Sequence, residues 1–227
     1  MEKIFKIISQ IPLFENLSSQ ELEKIRAIAI DQFYDKGRVI FSEGDDGNGF
    51  YVLTEGKVKI YKVSMDGKEQ ILHIYGPGNP FGEVAVFAGK RFPANAETLL
   101  KSHLLFFPRA AFVELIAKNP SLSLNMLAML SMRLRQFTVQ VENLSLKEVP
   151  GRLASYLVYL AREQGRDEEV TLPVSKGQLA SLLGTIPETL SRILAKMSGN
   201  GLITVHGRSI RLRDLEGLMD LAQNGKL

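Results

Sequence analysis

The strongest constraint on what this chain can fold into is the stretch PSLSLNMLAMLSMRLRQFTVQVENLSL, Pro120–Leu146. In it Leu127, Leu130, Leu134, Phe137, Val141 and Leu144 follow one another at spacings of 3, 4, 3, 4 and 3. The repeat averages 3.5 residues per turn, which keeps one narrow apolar seam turned toward a partner helix. Pro120 suits the first turn, where its missing N–H would have had no intrahelical partner. The spacing predicts a long helix whose seam pairs with a second copy of the chain. The competing expectation is an amphipathic helix packed on its own domain, because three heptads are few. Arg133, Arg135, Gln136, Gln140 and Glu142 lie off the seam and are expected in solvent.

At 227 residues the chain is long enough for two modest domains, each with its own core. No apolar run approaches the roughly 18 residues of a membrane span, and the charged start MEKIFK is not followed by a signal-peptide core and cleavage site. A soluble, cytoplasmic protein without membrane contact is expected. There is no cysteine, which excludes disulfides, zinc–thiolate sites, iron–sulfur clusters and cysteine nucleophiles. The net charge of +3 is unevenly placed: residues 171–227 hold seven Lys/Arg against four Asp/Glu, and residues 1–170 hold 21 of each. A basic bias in the last quarter is a weak sign of a nucleic-acid surface.

Along the chain, two N-terminal helices come first. Ser18 and Glu21 have the spacing of a capping box at the start of the second. From about Phe33 to Phe107 short β-branched and aromatic runs alternate with glycine-bearing turns. RVIF, GFYVLT, KVKIYKV, QILHIY, VAVF, NAETLL and HLLFF are the expected strands, with Asp66–Gly67 as a hairpin turn. The pattern predicts an antiparallel β-roll. A short helix over 108–118 and the heptad helix follow. Glu148-Val149-Pro150-Gly151 then breaks the periodicity and is expected to be a domain boundary and hinge.

Beyond it come an amphipathic helix over Arg152–Glu163 and an acidic loop. Next is a helix opened by Ser175 with Gln178 as capping partner, ending at Gly184. A further helix then starts around Thr185-Ile186-Pro187-Glu188, and two short strands turn at His206–Gly207. Two helices joined by a short glycine-bearing turn and followed by a β-wing form the winged helix-turn-helix pattern. The fold class expected is therefore α+β. It comprises an N-terminal β-roll of jelly-roll type over 1–118, a coiled-coil dimerisation helix over 119–147, and a winged helix-turn-helix domain over 148–227.

In such a motif the second helix enters the DNA major groove. Its polar residues here are Glu188, Thr189, Ser191, Arg192 and Lys196, and Arg208 sits on the wing. Arg192 can take both acceptors of a guanine, and Glu188, one turn earlier, can accept from a cytosine amino group. The plainer alternative is a surface i, i+4 ion pair between them, with Glu188 completing a cap with Thr185.

The segment GQLASLLGTIPETLSRILAKMSGNGLITVHGRSIRL resembles the DNA-binding signature of the CRP/FNR family of bacterial transcription regulators. VPGRLASYLVYLA resembles that family's hinge and following helix. IPLFENLSSQELEKI and the expected β-roll extend the likeness over nearly the full length. Glu188, Ser191 and Arg192 match the Glu-x-x-Ser-Arg pattern of the FNR branch, while Pro187 stands where the cAMP-receptor branch has an arginine. The resemblance implies palindromic double-stranded DNA with TTG or TGA elements as partner, a homodimer, RNA polymerase as a further partner, and a small effector bound between β-roll and dimer helix.

Gly78-Asn79-Pro80-Phe81-Gly82-Glu83-Val84-Ala85-Val86-Phe87 is similar to the phosphate-binding cassette of cyclic-nucleotide domains, with Gly82 and Glu83 at matching positions. The Arg-Ser/Thr-Ala triplet those domains place ten residues later is here Pro93, Ala94 and Asn95, with Arg91 two residues early. On the dimer helix, where cAMP-binding members present two consecutive hydroxyls to adenine, this chain has Phe137 and then Thr138. The effector expected is therefore not cAMP, since burying a phosphate without its charge partner is costly. The plain alternative keeps Gly82 and Glu83 as a turn and a buried anchor. The resemblance points instead to members that control nitrosative-stress or anaerobic genes, some of which bind haem; His73 and His103 are the sensor's candidate ligands. No enzyme is expected. A cyclic-nucleotide-binding regulatory subunit would not need the winged helix, a cAMP-responsive regulator would need the missing triplet, and a cupin-type metal enzyme would need clustered histidines.

Overall fold

The computed structural model describes residues 2–89 and 91–225. Its contacts divide the chain into two compact units, Met1–Leu134 and Arg135–Leu227. The division falls inside the long helix, upstream of the Glu148–Gly151 segment.

The first unit opens with α1 (Glu2–Ser9), a short 3-10 turn at Pro12–Phe14, and α2 (Ser19–Ile28). The expected capping box starts α2: the Ser18 side chain accepts from the Glu21 N–H, and the Ser18 N–H donates to the Glu21 carboxylate at 2.7 Å. Eight strands follow: β1 (Ile30–Tyr34), β2 (Val39–Phe41), β3 (Gly49–Glu55), β4 (Val58–Val63), β5 (Glu69–Tyr75), β6 (Pro80–Phe81), β7 (Asn95–Thr98) and β8 (Ser102–Pro108). They form two antiparallel four-stranded sheets, ordered β1-β8-β3-β6 and β2-β7-β4-β5. The β4–β5 hairpin closes on the Asp66–Gly67 turn as the sequence predicts.

GFYVLT reads as an unbroken apolar run because β3 is buried on both faces. Tyr51 and Leu53 join Phe41, Phe81, Phe92 and Leu104 between the sheets. Phe50 and Val52, pointing the other way by the period of two, join Leu105 and Phe107 under the N-terminal helices. Burying large aromatic and aliphatic side chains on both faces contributes roughly 1.5–3 kcal/mol per side chain, which fixes the register of this strand.

VAVF is not a strand. It lies in α3 (Glu83–Ala88), and Phe87 packs on Phe50 and Phe112 with ring centroids 6.4 and 6.2 Å apart. The run is too short for periodicity to separate strand from helix, and the glycine two residues before it opens the helix. Gly82, at φ +79°, supplies a left-handed N-cap that a side chain would strain. A Cβ there would also lie 3.1 Å from Phe92 and 3.2 Å from Phe41.

α4 (Arg109–Ala117) leads into α5 (Pro120–Leu146), whose bounds are those the spacing predicts. The helix has two apolar stripes. Leu122, Met126 and Met129 are buried against the core under the N-terminal helices. The seam residues Leu127, Leu130, Leu134, Phe137, Val141 and Leu144 are 38–69% exposed, so this chain does not cover its own seam.

The second unit continues with α6 (Val149–Gln164), β9 (Glu169–Thr171), α7 (Lys176–Leu182), α8 (Pro187–Gly199), β10 (Ile203–His206), β11 (Ser209–Leu212) and α9 (Leu215–Asn224). Pro150 does not break structure: it sits in the first turn of α6, where no ladder bond is lost. The wing has three strands, ordered β10-β11-β9, because part of the acidic loop pairs with β11. α9 was not expected. Its signals are Asp214, whose side chain accepts from the Gly217 N–H at 2.8 Å, and Leu218 and Leu221 on one face. Among the described residues no helix is long and apolar enough to cross a membrane.

Candidate nucleic-acid interface and sensor site

The reading helix is built from its buried side outward. Leu190, Leu194 and Met197 of α8 are in the core, at spacings of 4 and 3 that define one face. The opposite face presents Glu188, Ser191, Arg192 and Lys196 to solvent, with Thr189 partly buried beside them. α7 fixes the angle of entry: Ser175 and Gln178 close a reciprocal capping box, and the Thr185 N–H donates to the Ala180 carbonyl at 2.9 Å to complete the turn.

The expected Glu188–Thr185 cap does not form. The N-cap of α8 is Ile186, without a side-chain cap bond, and Pro187 occupies the first turn. Arg192 Nη2 donates to Thr189 Oγ1 at 3.3 Å, on its own helix face, which leaves the guanidinium solvent-exposed beside Ser191. A shallow groove of about 260 Å³ runs along the helix, lined by Lys176, Ser191, Leu194, Ala195, Ser198 and Val205. Arg208 follows the His206–Gly207 turn at the tip of the wing and is exposed.

In the sensor, Glu83 begins α3 and is 5% exposed. Its Oε1 accepts from Arg133 Nη1, and Arg133 Nη2 donates to the Pro80 carbonyl. The same guanidinium lies 5.2 Å from the centre of the Tyr75 ring, which in turn is 4.3 Å from His73. Arg133 is thus not a solvated off-seam residue: its side chain is 13% exposed. The reason is positional, since Leu122, Met126, Met129 and Arg133 follow one another at 4, 3 and 4 and share the buried stripe of α5. That spacing is legible in the sequence, on a different face of the helix from the heptad seam. Burial, and then the Arg133 charge, push His73 down to about 4. Burial likewise raises the Tyr75 phenol.

Arg91 turns away from this cluster. It is largely exposed and its Nε lies 3.4 Å from Asp46. Of the three positions where the phosphate triplet would stand, Ala94 is buried, and Pro93 gives its carbonyl to Lys62 Nζ at 3.0 Å. The Asn95 side chain is spent between the Glu43 N–H and the Tyr61 carbonyl. Phe92 stacks on Phe41 at 3.8 Å. Phe137 and Thr138 fall in the second unit, both exposed.

The two histidines differ. His103 Nε2 is 2.9 Å from Asp31 Oδ1, whose other oxygen takes Arg26 at 2.8 Å, and its ring stacks on Phe33 at 4.4 Å. His73 is held among Tyr75 and Arg133 as a neutral imidazole. Among the described residues no group of three His, Asp or Glu is placed to hold a metal ion.

Two family models match the chain: the cyclic nucleotide-binding domain over residues 31–119 and the Crp-like helix-turn-helix domain over residues 151–221. The chain is similar to a CRP-like cAMP-activated global transcriptional regulator of Mycobacterium tuberculosis, 30% identical over 94% of this chain and 97% of that protein. It is also similar to the fumarate and nitrate reduction regulatory protein of Escherichia coli, 27% identical over 95% of this chain and 88% of that one. Among solved structures, FixK2 from Bradyrhizobium japonicum matches 86% of this chain and 97% of its own at 26% identity, with a TM-score of 0.75.

Proposed function

Because this chain belongs to the CRP/FNR family of transcription regulators, we propose that it is a homodimeric, sequence-specific DNA-binding regulator controlled by a small effector other than cAMP. The observation that carries the reading is α8: three core residues on one side, and on the other the exposed set Glu188, Ser191 and Arg192. Arg192 would read a guanine and Glu188 a cytosine, while Lys196, Arg208, Thr189 and the groove beside Lys176 would follow the phosphate backbone. The exposed seam of α5 supports pairing with a second copy, which brings two reading helices to a palindromic site.

The effector reading sets cAMP aside although the M. tuberculosis relative is by name cAMP-activated. Its support is electrostatic: Arg133 is engaged with Glu83, Arg91 lies on the surface near Asp46, and Pro93, Ala94 and Asn95 offer no charge to a phosphate. A ligand reaching Glu83 and Arg133 would meet a paired charge, flanked by Tyr75 and His73. Were haem the ligand, His73 would be its residue, since a neutral imidazole can bind iron; His103 is already committed to Asp31. The FNR-type pattern on α8 supports anaerobic or nitrosative-stress genes as the targets, with RNA polymerase as a further partner; the E. coli relative is by name a fumarate and nitrate reduction regulator.

Fluorescence anisotropy tests the reading, using a palindromic duplex with TTG and TGA elements one helical turn apart. Binding at least about 1,000-fold tighter than to a scrambled duplex, with no change on adding cAMP, is expected. Equal affinity for both duplexes would overturn the DNA reading, and a cAMP-induced rise in affinity would overturn the effector reading.

A further inference from the structure

α7 and α9 each start on a side-chain oxygen: Ser175 accepts from the Gln178 N–H, and Asp214 from the Gly217 N–H. α8 starts instead on Ile186, which has no oxygen to offer, with Pro187 in the first turn. Ile186 is 49% exposed, and Pro187 and Glu188 beside it are exposed as well. Burial in the domain core therefore does not account for an isoleucine at this position. Nor does a hydrophobic staple, which would need its apolar residue one position earlier, where Thr185 stands.

The tip is stiff. Ile186 is extended, at φ −105° and ψ 155°, and its β-branched side chain has few rotamers, while the Pro187 ring fixes its own φ. The backbone is held on both sides: the Thr185 N–H donates to the Ala180 carbonyl at 2.9 Å, and the Leu190 N–H to the Ile186 carbonyl at 3.0 Å. Such side chains lose little conformational entropy when they meet a surface. Pro187 also stands one turn before Ser191, as Glu188 stands one turn before Arg192. The reading face thus has two rows. Glu188, Arg192 and Lys196 carry charge, whereas Pro187, Ser191 and Ala195 are small and uncharged, and the last two line the shallow groove.

Neither Ile186 nor Pro187 has a side-chain donor for a phosphate. Among the base edges of the major groove, the apolar group is the C5 methyl of thymine. We propose that Ile186 and Pro187 form an apolar tip that reads a thymine through this methyl, beside the base pairs taken by Glu188 and Arg192. This role rests on the DNA reading of α8 and adds a term to it: at one position of each half-site the chain distinguishes thymine from a pyrimidine that lacks the methyl.

The test replaces the thymines of the palindromic duplex by deoxyuridine, one at a time, which removes a methyl and leaves base pairing intact. In anisotropy titrations the unsubstituted chain should lose about fourfold in affinity at one position of a half-site, the factor for one buried methyl group, and under about twofold elsewhere. Ile186→Ser supplies the missing cap oxygen, so it should keep or raise the melting temperature while the uridine effect shrinks to under about twofold. Ile186→Thr, a second capping substitution, gives the same readout should the serine variant not fold. A uridine effect of equal size in parent and variant, or none at any position in the parent, would overturn the tip while leaving the DNA reading in place. Equal affinity of the parent for palindromic and scrambled duplexes would be the failure of the DNA reading itself, and the tip would fall with it.

Discussion

Arg133 and Glu83, 50 residues apart in sequence, close a buried ion pair that ties the dimer-type helix α5 to the start of α3. The pair consumes the glutamate that a cyclic-nucleotide cassette would offer to a ribose. It also places a guanidinium over Tyr75 and beside His73. Glu83 is thereby tied to α5 one residue before the seam position Leu134.

The pair is held by mutual need rather than by large net stability. Taking two charges out of water costs about as much as their attraction returns, whereas removing one partner strands the other. Arg133→Met should lower the free energy of unfolding by about 3–5 kcal/mol. Glu83→Gln/Arg133→Met together should recover most of that loss. Urea denaturation of the two variants checks it. Equal destabilisation by the single and double changes would mean that packing, not charge, is what Arg133 provides.

His73 gives the sensor an acid-side weakness. Its folded pKa of about 4 lies below the ordinary value of 6.5, so in the window between them the unfolded chain binds a proton that the folded one refuses. Its contribution is complete above about pH 6.5 and is lost as the pH falls toward 4, amounting to roughly 3 kcal/mol at most. His73→Gln should flatten the slope of stability between pH 7 and pH 5 relative to the parent, in parallel guanidinium titrations. An unchanged slope would place His73 in water.

How much of this was legible in the sequence depends on how local the signal was. The heptads of α5, the capping boxes at Ser18 and Ser175, and the Asp66–Gly67 hairpin were readable because each is decided within a few residues. VAVF was misread as a strand because Gly82 and the aromatic cluster of Phe50 and Phe112, distant in sequence, choose its helical form. Arg133 was missed because a helix with two apolar stripes hides the second behind the first. Pro150 and Gly151 suggested a hinge by composition. The approach of Gly151 to the backbone of Gly225, 74 residues on, is one that no local rule could reveal.

The seam makes a prediction about assembly. Leu134 is 69% exposed in one chain and stands in the middle of the six seam positions, where a partner's knobs and holes would enclose it. Leu134→Lys should raise the dimer dissociation constant by at least about tenfold, since 1.4 kcal/mol already suffices for that factor. It should leave the monomer folded, because the residue is not part of the sensor core. Sedimentation velocity across a concentration series measures it. A dimer as tight as the parent's would mean that α5 does not carry the interface.

Arg192 decides whether α8 reads bases or only grips the backbone. Its guanidinium is exposed and donates to Thr189 Oγ1 at 3.3 Å, a single long bond to a neutral hydroxyl on its own helix that a guanine's paired acceptors would readily replace. Arg192→Ala should therefore cost about 1–3 kcal/mol on the palindromic duplex and relax preference at a single base-pair position. Lys196→Ala should weaken all duplexes alike and reduce the salt dependence of binding by about one charge. Anisotropy titrations against duplexes substituted one pair at a time separate the two. If the arginine variant lost affinity uniformly, with the same salt slope change as the lysine variant, Arg192 would be a phosphate contact, and specificity would have to come from Glu188 and Ser191 or from the shape of the DNA.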